Sequence, residues 1–333
     1  MSCEPLLSTR NLKTWFPVKK GVFARTVGYV RAVDDVSIDI FNSETLGVVG
    51  ESGCGKSTLA RTILKLEKPR SGSILINGKD LLSLHGSELK EFRRSVQVVF
   101  QNPHASLNPR HTVLELITEA MLAYGLTTRE TRHADAGKLL NDVGMPDDVL
   151  DRYPHEFSGG QRQRISIARA LSLNPKLLIC DEAVSALDLS VRAQVLNLLE
   201  ELKQKRNLSY LFITHDIGVV EHISDRIAVM YLGKIVETGA TATVLETPAH
   251  PYTRLLIRAV PRIGTPLPAD DSAPIEVSQT KMITGCPFAP RCPLADDNCR
   301  TNTPPLEAME STQHQCACFK AKAAFSRNQT KRL

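Results

Sequence analysis

Residues 45–58 read TLGVVGESGCGKST. Thr45 to Val49 is a short, β-branched apolar run bounded by turn residues, which is the pattern of a buried strand. It passes into Gly50-x-x-x-x-Gly55-Lys56-Ser57, and the apolar periodicity of Leu59 to Leu66 predicts a helix behind it. Strand, glycine-rich turn and helix in that order form the context of a phosphate-binding loop. Gly50, Gly53 and Gly55 let successive backbone N–H groups point inward, and the helix N-terminus adds partial positive charge. Lys56 then reaches the β- and γ-phosphates, while the Ser57 hydroxyl takes a Mg²⁺ coordination position. Ser52, Cys54 and Thr58 complete the set of loop residues assigned to the nucleotide. Without the Lys-Ser pair, the stretch reads as an ordinary turn between a strand and a helix.

The chain has 333 residues, enough for one large domain or two, and its net charge of +5 is too small to argue for nucleic acid. The segment MSCEPLLSTR lacks the apolar core of a signal peptide, and no uncharged apolar run reaches about 18 residues. These features lead to the expectation of an intracellular chain. Its eight cysteines are then poor candidates for disulfides, so a cluster of them points to metal.

Residues 5–41 predict antiparallel strands, since Val36, Ile38 and Ile40 alternate with Ser37 and Asp39. TWFPVKKG is expected between these strands, where Phe16 or Trp15 can stack on an adenine ring or simply pack. SILINGK, residues 73–79, predicts a strand closed by an Asn77-Gly78 hairpin turn. Val96 to Phe100 is another apolar run ending in Gln101, which at the end of a strand can hold Mg²⁺ or the attacking water. Residues 104–157 break the α/β alternation and predict a helical insert, with Leu114, Ile117, Met121 and Tyr124 on one face.

FSGGQRQR follows at residues 157–164, with Ser158 as an N-cap and Gly159 and Gly160 permitting close approach of a ligand. This is a second candidate phosphate site, and the alternative is a capped helix after a glycine turn. Leu177 to Cys180 predicts a buried strand that ends in Asp181 and Glu182. Ligands of open α/β sheets bind at the carboxyl ends of strands, so Asp181 is assigned to Mg²⁺ and Glu182 to the general base. An acidic pair at that place can also cap the next helix.

The loop at 50–58, the Gln101 segment, FSGGQRQR, LLICDEAVSALD and the Thr214-His215-Asp216 tripeptide occur in one order over roughly residues 5–240. In this the chain resembles the ATPases of ATP-binding cassette (ABC) transporters. The resemblance implies an α/β P-loop NTPase core with an antiparallel β subdomain and a helical subdomain at about 104–157. It implies that His215 is the switch histidine, that Ser158 to Gln161 grip a nucleotide held by another subunit, and that Asp188 belongs to the loop between subunits. The family usually has Pro after the catalytic Glu, whereas this chain has Ala183.

Beyond residue 240 a small cysteine-containing extension, 241–333, is expected. His250-Pro251-Tyr252-Thr253-Arg254 resembles the HPYT element of ATPases that serve oligopeptide, dipeptide and nickel importers. A Pro-rich linker is read at 261–275. Cys286, Cys292, Cys299 and Cys318 are separated by five, six and eighteen residues, which does not fit paired C-x-x-C zinc knuckles. They can ligate an iron–sulfur cluster, one Cys to each of four irons, and similar tails in the family imply a 4Fe-4S cluster on these positions. Cys316 and His314 are spare candidates, and zinc or free thiols are the alternatives.

The resemblance thus implies an ATPase subunit of a dipeptide or oligopeptide importer that uses ATP and Mg²⁺. Expected partners are a second, related ATPase subunit in a heterodimer, two membrane permease subunits and an extracytoplasmic substrate-binding protein. The expected location is peripheral, on the cytoplasmic face of the membrane. Import of nickel chelates or glutathione, or a soluble regulatory ABC ATPase, are the other functions compatible with these motifs.

Overall fold

The computed structural model describes residues 4–21, 24–101, 106–259, 284–309 and 313–321. The chain separates into two compact units, one of Met1–Leu6, Ile40–Thr45 and Ser83–Ile213, the other of Leu7–Asp39, Leu46–Leu82 and Thr214–Leu333.

The second unit carries the 50–58 stretch and two sheets. In the first sheet the order is β2 (Arg25–Ile40), β1 (Leu7–Lys20), β4 (Ser71–Ile76) and β5 (Lys79–Asp80). The β4 to β5 turn is formed by Asn77 and Gly78 at φ of 47° and 77°, the left-handed pair that a two-residue hairpin requires. TWFPVKKG departs from expectation: Trp15 and Phe16 lie inside β1 and not between strands. The ladder of β1 with β4 runs only over Leu7 to Lys13, so Pro17 lies beyond it and its missing N–H costs that pairing nothing.

In the other sheet of this unit, β3 (Thr45–Val49) is buried throughout and pairs in parallel with β9 (Arg226–Tyr231). The hairpin partner of β9 is β10 (Lys234–Ala240), turned by Leu232 and Gly233 at φ of 43° and 83°. Two short strands from the C-terminal residues, β12 (Gln315–Cys316) and β11 (Glu307–Ala308), extend the sheet from the edge of β10. Their addition covers the open β10 ladder, which no local pattern in the sequence announces. The buried cluster behind β3 joins Val49, Ile227, Val229 and Tyr231 to Tyr252 and Phe288.

The first unit holds three parallel strands, β6 (Val96–Phe100), β7 (Leu177–Asp181) and β8 (Ser209–Thr214), with Phe100 beside Asp181 and Asp181 beside Ile213. Its helical part contains α3 (Val113–Ala123), α4 (Arg132–Asp142) and α5 (Gly159–Leu171), counted after α1 (Lys56–Ile63) and α2 (Gly86–Ser95). Leu114, Ile117 and Met121 are buried, as their spacing predicts, and Thr112 and Glu115 close a capping box at the start of α3. Helix α6 (Leu189–Arg206) buries Val195, Leu198, Leu199 and Leu202. Its N-cap is Asp188. Among the described residues no helix is long and apolar enough to cross a membrane. The Pro-rich stretch at 261–275 and residues 102–105 lie outside the described residues.

Candidate nucleotide-binding site

The loop after β3 owes its path to two glycines. Gly55 has φ of 112°, and a Cβ there would lie 1.8 Å from the Ala32 carbonyl oxygen; at Gly50 it would lie 2.1 Å from the Met230 oxygen. Both contacts are with backbone, which cannot swing aside, so neither position admits a side chain. The close approach brings Lys56 into the loop at the first turn of α1. Its ammonium is buried and donates to the Gly50 oxygen at 2.7 Å and to the Glu51 oxygen at 2.9 Å. Ser57 and Thr58 continue α1, while Ser52 and Gly53 form the turn before it. Cys54 is buried beside Lys56, and that burial pushes its thiol up. It therefore stays protonated and serves as a small packing group.

Two further candidates belong to the same unit. Phe16 is 37% exposed on β1. Trp15 is engaged within its sheet: its indole N–H donates to Asp34, and the Arg31 and Arg70 guanidinium groups lie 4.4 and 4.6 Å from its ring centroid. His215 is exposed after Thr214, and the Asp216 side chain caps the following helix, α7 (Ile217–Ile223), by accepting from Gly218 and Val219.

In the other unit, parallel register sets Gln101 and the acidic pair at neighbouring strand ends. Asp181 is the buried last residue of β7. Glu182 leaves the strand at φ of 50°, its N–H donating to the Ile213 oxygen at 2.9 Å. A left-handed glutamate is uncommon and strained, so this backbone turn is imposed by its surroundings. Gln101 Nε2 donates to Glu182 Oε2 at 2.9 Å. The turn with Ala183 in place of proline is closed by Ser185, whose N–H and Oγ both donate to the Glu182 oxygen. Ser158 caps α5, and Gln161 reaches back to the Ser158 N–H at 3.0 Å in a reciprocal capping box. Ser158 and Gly159 are exposed, and Gly160 approaches Val191 so closely that a Cβ would lie 2.4 Å from Cγ1. Asp188 is exposed at the start of α6.

Toward the C-terminus, the HPYT element explains its own local geometry. Pro251 opens helix α9 (Pro251–Arg258), preceded in sequence by α8 (Thr241–Glu246), and His250 Nδ1 accepts the Tyr252 N–H at 3.1 Å. Burial lowers the His250 pKa to about 4, so the ring stays neutral and keeps that acceptor. The buried Glu237 carboxylate accepts from Ala249 N, His250 N and, at 2.8 Å, His314 Nε2. His314 is thereby committed to Glu237. Cys286, Cys292, Cys299 and Cys318 line one recess together with Phe288 and Lys320, and Cys316 does not line it. Among the described residues no three His, Cys, Asp or Glu side chains are grouped so as to hold a metal ion. Tyr252, read only as part of the HPYT element, and Arg291, not singled out, both contact Glu51 of the phosphate loop. Residue spacing gives no signal for either contact, because each spans 200 or more positions.

Comparison with known proteins agrees with this arrangement. The pattern of the family "ABC transporter" matches residues 33–185, and that of "Oligopeptide/dipeptide transporter, C-terminal region" matches residues 236–299. The chain is 47% identical over 328 residues to the probable peptide ABC transporter ATP-binding protein y4tS of Sinorhizobium fredii, covering 96% of this chain and 92% of that protein. It is 46% identical over 325 residues to the oligopeptide transport ATP-binding protein AppF of Bacillus subtilis, covering 95% and 97%. Among solved structures, the dimeric ATP-binding cassette MJ0796 in a post-hydrolysis state with ADP and Pi matches with a TM-score of 0.62 at 27% identity, covering 71% of this chain and 98% of that one. A glycine-walled loop around a buried lysine, and matches that run almost end to end, lead to one assignment: the chain belongs to the ATP-binding proteins of the ABC transporter family, with the C-terminal region of its oligopeptide/dipeptide type.

Proposed function

We propose that this chain is the ATP-hydrolysing subunit of an importer that moves dipeptides or oligopeptides across the cytoplasmic membrane. The observation that carries the reading is the joint occurrence, in one chain, of the buried Lys56 loop and the oligopeptide/dipeptide C-terminal region. In this reading residues 1–240 are the motor and 241–333 its extension. Lys56 and the N–H groups of the Gly50 to Thr58 loop bind the triphosphate, and the exposed Phe16 stacks on the adenine. Mg²⁺, when bound, neutralises developing charge on the phosphate oxygens, and Ser57, Gln101 and Asp181 are the residues that would hold it. Glu182 takes the proton of the attacking water, Gln101 keeps its carboxylate oriented, and His215 reports loss of the γ-phosphate.

A second, related ATPase subunit supplies the complementary half of each site. Support comes from residues that gain nothing by exposure in a lone subunit: Ser158 and Gly159 face solvent, and Leu189, next to Asp188, is 81% exposed. Two permeases and an extracytoplasmic binding protein complete the importer, with this chain peripheral on its cytoplasmic face. The experiment is purification from membranes combined with uptake of a labelled dipeptide and a labelled pentapeptide. Co-purifying permeases and loss of peptide uptake on deletion are expected. Unchanged uptake of both peptides would reject the substrate class.

For the tail we infer a 4Fe-4S cluster on Cys286, Cys292, Cys299 and Cys318, one thiolate to each iron. Convergence of these four thiols on one recess, with Cys316 outside it, supports the choice of ligands. A single ion needs its donors about 2.3 Å from one point, whereas a four-iron cluster spreads them further apart. Burial raises the thiol pKa values of Cys286 and Cys292, and that of Cys318 to about 11, so binding at these positions must expel protons. Anaerobic purification should yield iron and acid-labile sulfide in equal, stoichiometric amounts; zinc without iron, or neither metal, would reject the cluster.

A further inference from the structure

Glu51 lies inside the phosphate loop, and the C-terminal extension holds it at two points. The Arg291 guanidinium donates to both carboxylate oxygens, Nη1 to Oε2 at 2.8 Å and Nη2 to Oε1 at 3.0 Å. The Tyr252 hydroxyl accepts the Glu51 N–H at 2.8 Å. That N–H belongs to the peptide unit between Gly50 and Glu51, whose carbonyl accepts the Lys56 ammonium at 2.7 Å. A peptide unit is planar, so Tyr252 on one side sets where the Lys56 acceptor points on the other.

Both clamping residues are themselves fixed by aromatic packing. Tyr252 is fully buried, with its ring 4.5 Å from that of Tyr231 and 5.5 Å from that of Phe288. Arg291 ends the 3₁₀ turn Ala289–Arg291, its N–H bonded to the Phe288 oxygen and its guanidinium 5.8 Å from the Phe288 ring. The arrangement has an electrostatic purpose. A carboxylate in a loop that receives a triphosphate repels it unless that charge is neutralised, and a bidentate guanidinium does this while fixing the side chain.

We propose that Arg291 and Tyr252 are positioning residues for the phosphate loop, so that the C-terminal extension sets nucleotide affinity through Glu51. This rests on reading residues 50–58 as the triphosphate site.

The test is equilibrium binding of mant-ADP to the full chain, together with steady-state ATP hydrolysis. Arg291→Ala should weaken binding about 5- to 20-fold, as expected for a partly buried, charge-assisted pair, with the change in KM and not in kcat. Arg291→Lys should recover part of the loss. Adding Glu51→Gln to Arg291→Ala should restore binding to within about 2-fold, because the unneutralised charge is gone. Tyr252→Phe should weaken binding about 3-fold through loss of one hydrogen bond. Parental binding by Arg291→Ala would overturn the proposal. So would a double variant as weak as the single one, since damage confined to folding of the extension cannot be repaired in the loop. Lys56→Ala separates the two readings: normal mant-ADP binding by that variant would sink the loop assignment itself, whatever Arg291 does.

Discussion

Glu182→Gln is expected to bind ATP as the parent does and to hydrolyse it about 100- to 10,000-fold more slowly, the range a positioned general base contributes. The substitution isolates proton transfer from placement. Glu182 is held by backbone, through its N–H to the Ile213 oxygen and its own carbonyl to Ser185, and neither bond involves the side chain that changes. Its Oε2 accepts from Gln101 Nε2 at 2.9 Å, and a glutamine oxygen can accept the same bond. What the amide lacks is the capacity to take a proton from water. Single-turnover hydrolysis of radiolabelled ATP, measured beside nucleotide binding, distinguishes the outcomes. Equal turnover in both proteins would remove Glu182 from the chemistry, and binding lost together with turnover would make its role structural.

Lys56→Ala should weaken nucleotide binding about 30- to 1,000-fold, the effect of truncating a buried, hydrogen-bonded charge. Two losses combine. The cation proposed to face the β- and γ-phosphates disappears, and the Gly50 and Glu51 carbonyls lose the donor that holds the loop closed. The second loss should also lower thermal stability, so equilibrium binding of mant-ATP must be compared well below the midpoint of unfolding. Binding within about 3-fold of the parent would remove residues 50–58 from the triphosphate site.

Much of this architecture was legible because short-range rules govern it. The alternation of Val36, Ile38 and Ile40, the Asn77-Gly78 turn and the stripe of Leu114, Ile117 and Met121 each depend on a few neighbours, and each appears where the pattern put it. Gly55 was legible for the same reason, although the backbone contact that excludes every other residue there comes from Ala32. Less local features escaped. Trp15 and Phe16 differ by one position, and the sequence could not say which ring is exposed. That difference follows from Asp34, Arg31 and Arg70 converging on Trp15.

By itself the order of residues determined the phosphate loop, the acidic pair after a buried strand and the four cysteines at unequal spacing, since these are motifs of chemistry written within a few positions. Only the tertiary structure shows that Cys286, Cys292, Cys299 and Cys318 line one recess that Cys316 does not line. It also decided that β12 closes the edge of β10, and that Arg291 and Tyr252 reach Glu51 across more than 200 positions of chain. The physical reason is the same in each case: a hydrogen bond or a shared recess depends on distance in space, and residue spacing carries that information only within a strand, a turn or a helix.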